Sequence, residues 1–491
     1  MRGHIPHQTP CFLNAAMVRA ALAVCGLILF LTAPPLTLAA VLSDQRITEA
    51  ADLALLDDPG VPAHRIDIHT QGGVVTLQGT VPDILAKDRA PDVVGTLKGV
   101  RSVVNRIEVS PPVLLPDRKI EEQVLSKLRT NPATESYQVE VAVQDAAVTL
   151  SGTASSWQEK QLAATLAKGV RGVTEVINAI EVVYPVQRTD AAITADVASR
   201  LKWDIWVDAS SIEVDVEDRV VTLSGVTGSA AEKSRARVDS WVLGVRDVNT
   251  RDLGVDWETA RDMRRQRTDL LERDEDVRQA IADAFILDPR LSLFDLEIRV
   301  RNGVAFLSGI VDNYQARRVA AQNARNTVGV LRVRNRIKVR PISPPPSDAA
   351  IAADVQQALQ DNPFTEAHQV DVRTSGGVVR LQGTVDTRFE KEVAEDLAAQ
   401  VRGVVEVRNS LETLTPMLLD PDRDIEEDIR DQLWWSPYVD EERVEVEVEQ
   451  GVATLRGTVN TWREYLAAAE NAREGGAVRV INRLRVKQSD R

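Results

Sequence analysis

The chain has 491 residues, of which 44% are apolar, and this is enough material for the cores of several domains. Its 73 aspartate and glutamate residues outnumber its 59 lysine and arginine residues, which gives a formal net charge of −14. An acidic chain repels polyanions, so this balance argues against nucleic acid as a general partner.

The N-terminal residues have the pattern of a secretory signal. Arg19 precedes an apolar run over residues 20–31, and the small residues Ala39 and Ala40 come shortly after it. A run of 12 residues is too short to span a bilayer as a helix. We therefore predict a cleavable signal peptide over residues 1–39 and export of the rest of the chain.

Two alternatives remain open for this leader. Residues 18–40 could stay uncleaved as a membrane anchor, and a start at Met17 would give a leader of more ordinary length. Both cysteines, Cys11 and Cys25, lie within the leader. The exported part is therefore predicted to lack disulfides, thiol nucleophiles and cysteine-based zinc sites.

Downstream of the leader one pattern occurs six times. Each copy has three apolar residues at helical spacing and a glycine 32 residues after the first of them. A constant spacing of this kind indicates tandem units that share one fold. The first apolar residues are Ile47, Ile120, Ile193, Val277, Ile351 and Ile425. The matching glycines, which we interpret as structural, are Gly79, Gly152, Gly225, Gly309, Gly383 and Gly457.

The first helix of each unit is predicted to begin at an aspartate three residues before the apolar triplet. A side-chain oxygen at that place can accept from the free backbone N–H groups of the first turn, so we interpret these aspartates as N-caps. They are Asp44, Asp117, Asp190, Asp274, Asp348 and Asp422. In five units the helix is predicted to end at an Asp, Asn or Ser before a proline, whereas the third unit has Asp204-Ile205.

A hairpin and a second helix follow in each unit. Alternating apolar and charged residues, as over residues 444–449, predict a half-buried strand. A short turn such as Gln71-Gly72-Gly73 then leads to a second strand. A capping residue four places after the repeat glycine opens the second helix, which ends near a glycine, and a last strand bearing an asparagine closes the unit.

These elements predict an α+β fold of six tandem αββαβ modules. In each module two helices would cover one face of a three-stranded mixed sheet, so that both apolar stripes are buried. The predicted modules cover residues 44–112, 117–185, 189–255, 274–341, 348–415 and 422–488. Residues 256–273 form a charged insertion that we predict to be helical and to divide the array into two sets of three modules.

The repeated unit resembles the BON domain, a family named for bacterial osmotically induced and nodulation proteins. The resemblance is carried by the hairpin Gly-Val-x-Thr-Leu-x-Gly at 451–457, its counterpart at 73–79, the glutamate of the second helix (Glu159, Glu390) and the Gly-Val end at 403–409. It covers nearly all of the chain after the leader. It implies a periplasmic envelope protein of diderm bacteria, without catalysis or cofactor, whose modules bind phospholipid or other envelope components under osmotic or membrane stress.

The fourth module contains the clearest candidate binding residues. Cations alternate with apolar residues along its first and last strands, so they should share the open side of one sheet. Arginine forks suit phosphate oxygens, which makes this side a candidate lipid or anion site. An alternative is a solvated face paired with an acidic neighbour such as the Glu445, Glu447 and Glu449 strand. The six cations are Arg299, Arg301, Arg332, Arg334, Arg336 and Lys338.

Aromatic residues make up only 4% of the chain, yet three stand just after the cap of the second helix: Trp157, Tyr314 and Trp462. Amphipathic rings at such positions can anchor at a membrane interface. The alternative is that each ring closes over the small core of its own module.

No catalytic or metal-binding pattern is present. The histidines after the leader, His64, His69 and His368, lack the spacing of a zinc site, and no nucleophile-elbow, phosphate-loop or dinucleotide motif occurs. We therefore expect a non-enzymatic binding protein without metal or cofactor, and with the membrane phospholipid surface or envelope proteins as partners. Two other hypotheses are a protein-interaction scaffold and a module that binds a monovalent cation, since some members of the family are associated with potassium.

Overall fold

Six repeats of the order helix, strand, strand, helix, strand run along the chain. The computed structural model describes residues 42–134, 138–265, 272–341, 344–365, 370–414 and 422–487, and the predicted signal peptide lies outside them. Within these ranges no helix has both the length and the apolar character that crossing a bilayer requires.

The helices of the described residues are α1 (Asp44–Asp57), α2 (Ile84–Val94), α3 (Asp117–Thr130), α4 (Trp157–Lys168), α5 (Asp190–Trp203), α6 (Ala230–Asp239), α7 (Trp257–Arg265), α8 (Asp274–Leu287), α9 (Tyr314–Arg325), α10 (Asp348–Gln360), α11 (Arg388–Ala399), α12 (Asp422–Trp435) and α13 (Trp462–Glu474). Helix α7 lies in the predicted insertion, and each of the six modules has two of the others.

The strands are β1 (Ile66–Gln71), β2 (Val74–Val81), β3 (Ser102–Val109), β4 (Val139–Gln144), β5 (Ala147–Ala154), β6 (Glu175–Asn178), β7 (Glu181–Val182), β8 (Ile212–Glu217), β9 (Val220–Thr227), β10 (Asp247–Asn249), β11 (Leu253–Val255), β12 (Leu296–Arg301), β13 (Val304–Val311), β14 (Arg332–Asn335), β15 (Lys338–Val339), β16 (Val370–Ser375), β17 (Val378–Val385), β18 (Glu406–Thr413), β19 (Val444–Glu449), β20 (Val452–Val459), β21 (Arg479–Asn482) and β22 (Arg485–Val486).

The second strand is central in every sheet. The first strand pairs with it antiparallel and the last strand pairs with it parallel, as β1 and β3 do with β2. In modules two, three, four and six the last strand is interrupted after its asparagine and continues as a second short strand along the same partner. The predicted α+β class with mixed sheets is confirmed.

Each module encloses a core of its own. In the first module Ile47, Ala51 and Leu55 of α1 are buried with Val75 and Leu77 of β2. The predicted triplet therefore lies on the inner stripe of the first helix, as a period of 3.6 residues requires. Residues that alternate with the core positions along the strands, such as Asp67 and His69 of β1, are exposed.

The aspartate at the start of each unit has a different role from the predicted one. Ser43 is the N-cap of α1, and its side chain accepts from the N–H of Arg46 at 3.3 Å, whereas Asp44 is the first helical residue. The Asp44 carboxylate accepts from Gly72 N at 2.7 Å and Gly73 N at 2.9 Å, in the hairpin turn. All six units repeat this pair of hydrogen bonds, so the N-cap interpretation of these aspartates was wrong.

The carboxylate accepts one hydrogen bond from each of two backbone N–H groups of the turn. Both bonds favour the ionised form, and they hold the pKa of Asp44 and Asp348 below the usual 3.8. The aspartate therefore connects the first helix to the hairpin turn by hydrogen bonds, although Asp44 and Gly72 are 28 positions apart in the sequence.

We expect Asp348→Ala to destabilise the fifth module at neutral pH, because two turn N–H groups lose their acceptor. A depressed pKa contributes stability above the unfolded-state value and loses it as the pH falls through the folded-state value. The difference in thermal unfolding midpoint between the wild type and the variant should therefore be constant near neutral pH and disappear as the pH falls below 3.8. A gap that persists unchanged in acid would show that the carboxylate charge is not what holds the turn.

The modules pair through equivalent positions of their backbones. In each pair, the backbone carbonyl at the C-terminal end of the first helix of one module accepts a hydrogen bond from another module. The donor is the N–H of the residue that precedes the glycine after the second helix of that other module. These pairs are Trp203 O with Val328 N at 2.9 Å, Asp361 O with Arg171 N at 2.7 Å and Trp435 O with Lys98 N at 3.0 Å. The third module thus contacts the fourth, the fifth contacts the second and the sixth contacts the first. This nested order is consistent with two sets of three modules on either side of the insertion.

Candidate functional site

The outward face of the fourth sheet gathers the cations that the alternation predicts. Phe306 of the central strand β13 lies between Arg299 of β12 and Arg334 of β14. The neighbouring outward row places Arg301 and Arg332 on the two sides of the same strand. Because alternate residues share a face, these four arginines point to the same side of the sheet.

The two remaining cations extend the row. Arg336 follows β14, and its N–H donates to Leu307 O at 2.8 Å, while Lys338 lies beside Ile310 in the parallel register of β15. Both have the same parity as Arg334 and so lie on the same face. All six predicted cations are exposed.

Acidic residues are scarce on this face. Within strands β12 to β15 the face has one carboxylate, that of Glu297, which accepts from Arg299 Nε at 2.9 Å and from Ser308 Oγ at 3.0 Å. The hydrogen bond from Arg299, followed by the one from Ser308, lowers the pKa of Glu297. In the part of the chain that the structure describes, Arg301, Arg332 and Arg336 have no ion pair. The face therefore keeps a local excess of positive charge.

An aromatic ring lies in the middle of the cations. The guanidinium carbon of Arg334 is 5.5 Å from the centre of the Phe306 ring, and Ile310, further along β13, is 48% exposed. Sequence analysis missed Phe306 because the central strand was interpreted only as part of a hairpin. The hairpin register, once counted, would have placed it on the outward face.

The acidic strand β19, considered above as a partner for these cations, forms an ion pair within its own sheet. Glu447 forms an ion pair with Arg456 of the adjacent strand of its own sheet. Among the described residues none of the six cations contacts Glu445 or Glu449. The cationic face is therefore not neutralised by that strand.

A family model for the BON domain matches residues 43–111, 116–184, 189–255, 273–341, 347–415 and 421–488. The chain belongs to the BON domain family. The resemblance carried by the hairpin and helix motifs is thereby confirmed, and the six matches coincide with the six sheets.

Two curated relatives are similar to part of the chain. The osmotically-inducible protein Y of Escherichia coli (strain K12) is 30% identical over 124 residues, which are 24% of this chain and 62% of that protein. A 21 kDa hemolysin of Actinobacillus pleuropneumoniae is 30% identical over 123 residues, 24% of this chain and 63% of that protein. The match thus spans less than two thirds of either relative.

Among solved structures, the C-terminal domain of CdsD, a structural protein of the type III secretion system of Chlamydia trachomatis, is 16% identical. It aligns with 39% of this chain and 90% of its own length at a TM-score of 0.12.

The fourth BON domain differs in charge from its neighbours. The first strand of the third domain carries Glu213, Asp215 and Glu217 at the outward positions. In the fifth domain the outward Arg373 and Arg408 each have a carboxylate partner in their own strand, at 2.8 and 3.0 Å. The excess of cations on one sheet face is therefore a local property of the fourth domain.

Two of the three aromatic residues proposed for a membrane interface, Trp157 and Tyr314, lie between modules. Trp157 stacks on Trp241 of the third domain, with ring centres 5.3 Å apart. Tyr314 packs against the core of the fifth domain, and its backbone N–H donates to Val404 O at 3.1 Å. Both rings are therefore partly covered by another module, and we propose no membrane contact for them. The side chain of Trp462 lies outside the described part.

Potential metal ligands do not cluster in the part of the chain that the structure describes. Among these residues no group of three or more His, Cys, Asp and Glu side chains is arranged to hold a metal ion. His64 Nε2 accepts a hydrogen bond from Arg65 Nε at 3.3 Å. His368 lies outside the described residues.

Proposed function

We propose that this protein is a non-catalytic periplasmic protein of the bacterial envelope that binds anionic phospholipid through its fourth BON domain. The observation that carries the proposal is the outward face of the fourth sheet. It presents six cations against one carboxylate, with Phe306 among them.

The chemistry of this face suits phosphate-bearing headgroups. Arginine can bind phosphate oxygens through two parallel N–H donors, and Phe306 and Ile310 offer apolar surface to the glycerol or acyl region. The chain as a whole carries a charge of −14, which opposes binding to an anionic membrane. Exposed charges are screened beyond roughly 8 Å at physiological ionic strength, so the local excess on this face can outweigh the distant acids.

The family supports an envelope role under stress. One relative is named for osmotic induction, and it shares the BON sequence with this chain over 124 residues. We therefore place the membrane contact of this protein in the response to osmotic or membrane stress. The third domain would hold the fourth in place through the backbone pair between Trp203 O and Val328 N.

Replacing Arg332, Arg334 and Arg336 by serine should weaken binding to vesicles of phosphatidylglycerol and phosphatidylcholine. Each basic residue near an anionic membrane contributes about 1 kcal/mol, so the triple variant should lose roughly a hundredfold in partitioning. Co-sedimentation of the full chain with vesicles measures this loss. Added salt should weaken the wild-type binding as well.

The matched control replaces Arg373, Arg380 and Arg408 of the fifth domain by serine. It removes the same charge from the same kind of sheet face, but two of its arginines are already paired with carboxylates. If both variants lose the same amount of vesicle binding, the effect is due to the net charge of the protein and not to this sheet face. Unchanged binding in the fourth-domain variant would reject the lipid role and leave an acidic protein surface as the partner to test.

A further inference from the structure

The third sheet has an acidic outward face, the opposite of the cationic face of the fourth sheet. Its strands β8 to β11 contain no lysine or arginine. The strands of the fourth sheet, β12 to β15, contain a single acid, Glu297. The outward acids of the third sheet are all exposed, and they are Glu213, Asp215, Glu217 and Asp247.

The two faces have opposite charges at equivalent positions. Glu217 of β8 and Asp247 of β10 lie on the two sides of Val220 in the central strand β9. Arg301 and Arg332 lie in the same way on the two sides of the equivalent residue of β13. Strand spacing and register fix where side chains stand on a sheet face. The two faces therefore share one grid of positions and differ in the sign of the charge.

The acidic face is not neutralised within the chain. In the part that the structure describes, its four outward acids form no ion pair. The acidic strand of the sixth sheet differs, because there Arg456 of the neighbouring strand pairs with Glu447. The third sheet thus keeps an excess of negative charge, as the fourth keeps an excess of positive charge.

We propose that the acidic face of the third sheet binds the cationic face of the fourth sheet in a second copy of this chain. Two sheets that meet face to face keep their strands roughly aligned. Turning one sheet over about its central strand exchanges its outer strands, so β8 of one copy lies opposite β14 of the other. This arrangement opposes four acids and four arginines: Glu213 with Arg336, Asp215 with Arg334, Glu217 with Arg332, and Asp247 with Arg301.

The association is reversible and depends on salt. It consists of exposed charge pairs on two small faces, which is typical of a transient interface and not of a permanent dimer. The net charge of −14 opposes the approach of two copies, but charges further apart than roughly 8 Å are screened at physiological ionic strength. Each copy carries both faces, so the contact can repeat from one copy to the next.

Self-association uses the cations that we propose for phospholipid, so a copy docked on this face excludes the membrane from it. The two proposals nevertheless fail independently. Self-association needs the acids of the third sheet, which lipid binding does not need, and it is measured without vesicles.

Sedimentation velocity of the full chain at several protein concentrations tests the proposal. The sedimentation coefficient should rise with concentration in the micromolar range at moderate salt. The rise should disappear at about 1 M salt, where the screening length falls to about 3 Å. A coefficient that does not depend on protein concentration at moderate salt would overturn the proposal.

Two charge-reversal variants identify the faces that meet. The acid variant combines Glu213→Lys, Asp215→Lys and Glu217→Lys, and the cation variant combines Arg332→Glu, Arg334→Glu and Arg336→Glu. Each variant alone should associate at least about a hundredfold more weakly than the wild type, because like charges replace three opposed pairs. An equimolar mixture of the two should associate again, since the new lysines meet the new glutamates. Undiminished association of either variant alone, or a mixture that stays monomeric, would refute this pairing of faces.

The matched control reverses the acids of the sixth sheet by Glu445→Lys, Glu447→Lys and Glu449→Lys. These residues are also exposed on a first strand, and the change in net charge equals that of the acid variant. The control should still self-associate. Loss of association equal to that of the acid variant would assign the effect to net charge and contradict the proposal. Circular dichroism of all three variants verifies that they are folded.

Discussion

Replacing Arg463 by methionine is expected to lower the free energy of unfolding by about 3–5 kcal/mol, the usual cost of removing one partner from a buried ion pair. Arg463 of the sixth domain is 7% exposed and pairs with Glu232 of the third domain, which is 2% exposed, at 2.9 Å. Methionine fills a similar volume but leaves the carboxylate buried without its cation.

Further contacts concentrate on the same side chain. Arg463 Nη2 donates to Trp206 O at 2.8 Å, and its guanidinium carbon is 4.0 Å from the ring centre of Tyr438. The Tyr438 hydroxyl is 2.8 Å from Ser229 Oγ, across the same boundary. The arginine thus joins the third and sixth domains through an ion pair, a backbone carbonyl and an aromatic face, and its loss affects all three.

Urea denaturation of the full chain measures the effect. Arg430→Met in the same domain is the matched control, because Arg430 is 60% exposed and its pair with Glu426 lies one helical turn away. Exposed pairs of that kind contribute at most about 1 kcal/mol. If both variants lose the same small amount, the buried pair does not hold the domains together.

Arg463 also shows why contacts between domains could not be predicted from the sequence. It is the second residue of α13, and no sequence pattern marks it as buried. Trp157 and Tyr314 at comparable places were interpreted as membrane anchors or as lids over their own cores, yet both meet other domains. Burial by a neighbour leaves no periodic mark in the sequence, because it depends on how complete modules dock.

Patterns within a module were readable because they repeat at short range. Alternation placed the arginines of β12 and β14 on one face, and the central strand then determined their rows. The aspartate before each first helix shows the limit of that approach. An Asp at a helix start predicts an N-cap, and only the constant distance from Asp44 to Gly72 and Gly73 could have indicated that the turn is its partner.

The contact between the third and fourth modules left a weaker trace in the sequence. The third unit ends its first helix at Asp204-Ile205, where the other five have a proline. Asp204 still accepts from the N–H of Trp206 at 2.7 Å, as the equivalent residues of the other modules do from theirs. Its second oxygen accepts from Arg235, and this contact connects the end of α5 to α6. The sequence departure marks the place, but the chemistry depends on a residue 31 positions away.

The second large effect is expected at the repeat glycines. Gly79→Ala should destabilise the first domain by at least about 4 kcal/mol, a value that single substitutions reach only when they force a clash or a cavity. Gly79 has a φ of +144°, and a Cβ there would lie 2.0 Å from the carbonyl oxygen of Arg65. No rotamer relieves that contact, since both groups belong to the backbone. Strands β1 and β2 would have to separate where Gly79 pairs with Ile66.

Gly72→Ala in the same domain separates the clash from backbone strain. Gly72 has a φ of +57°, and an added Cβ would meet nothing within 4 Å. Alanine there should cost only the left-handed conformation, about 1–2 kcal/mol. Urea denaturation of the two variants should therefore differ severalfold in the loss of stability. Similar losses would mean that the domain absorbs the displacement of β1. A large difference would account for a glycine at this position, because the same close approach to the carbonyl before the first strand occurs at Gly152, Gly225 and Gly457.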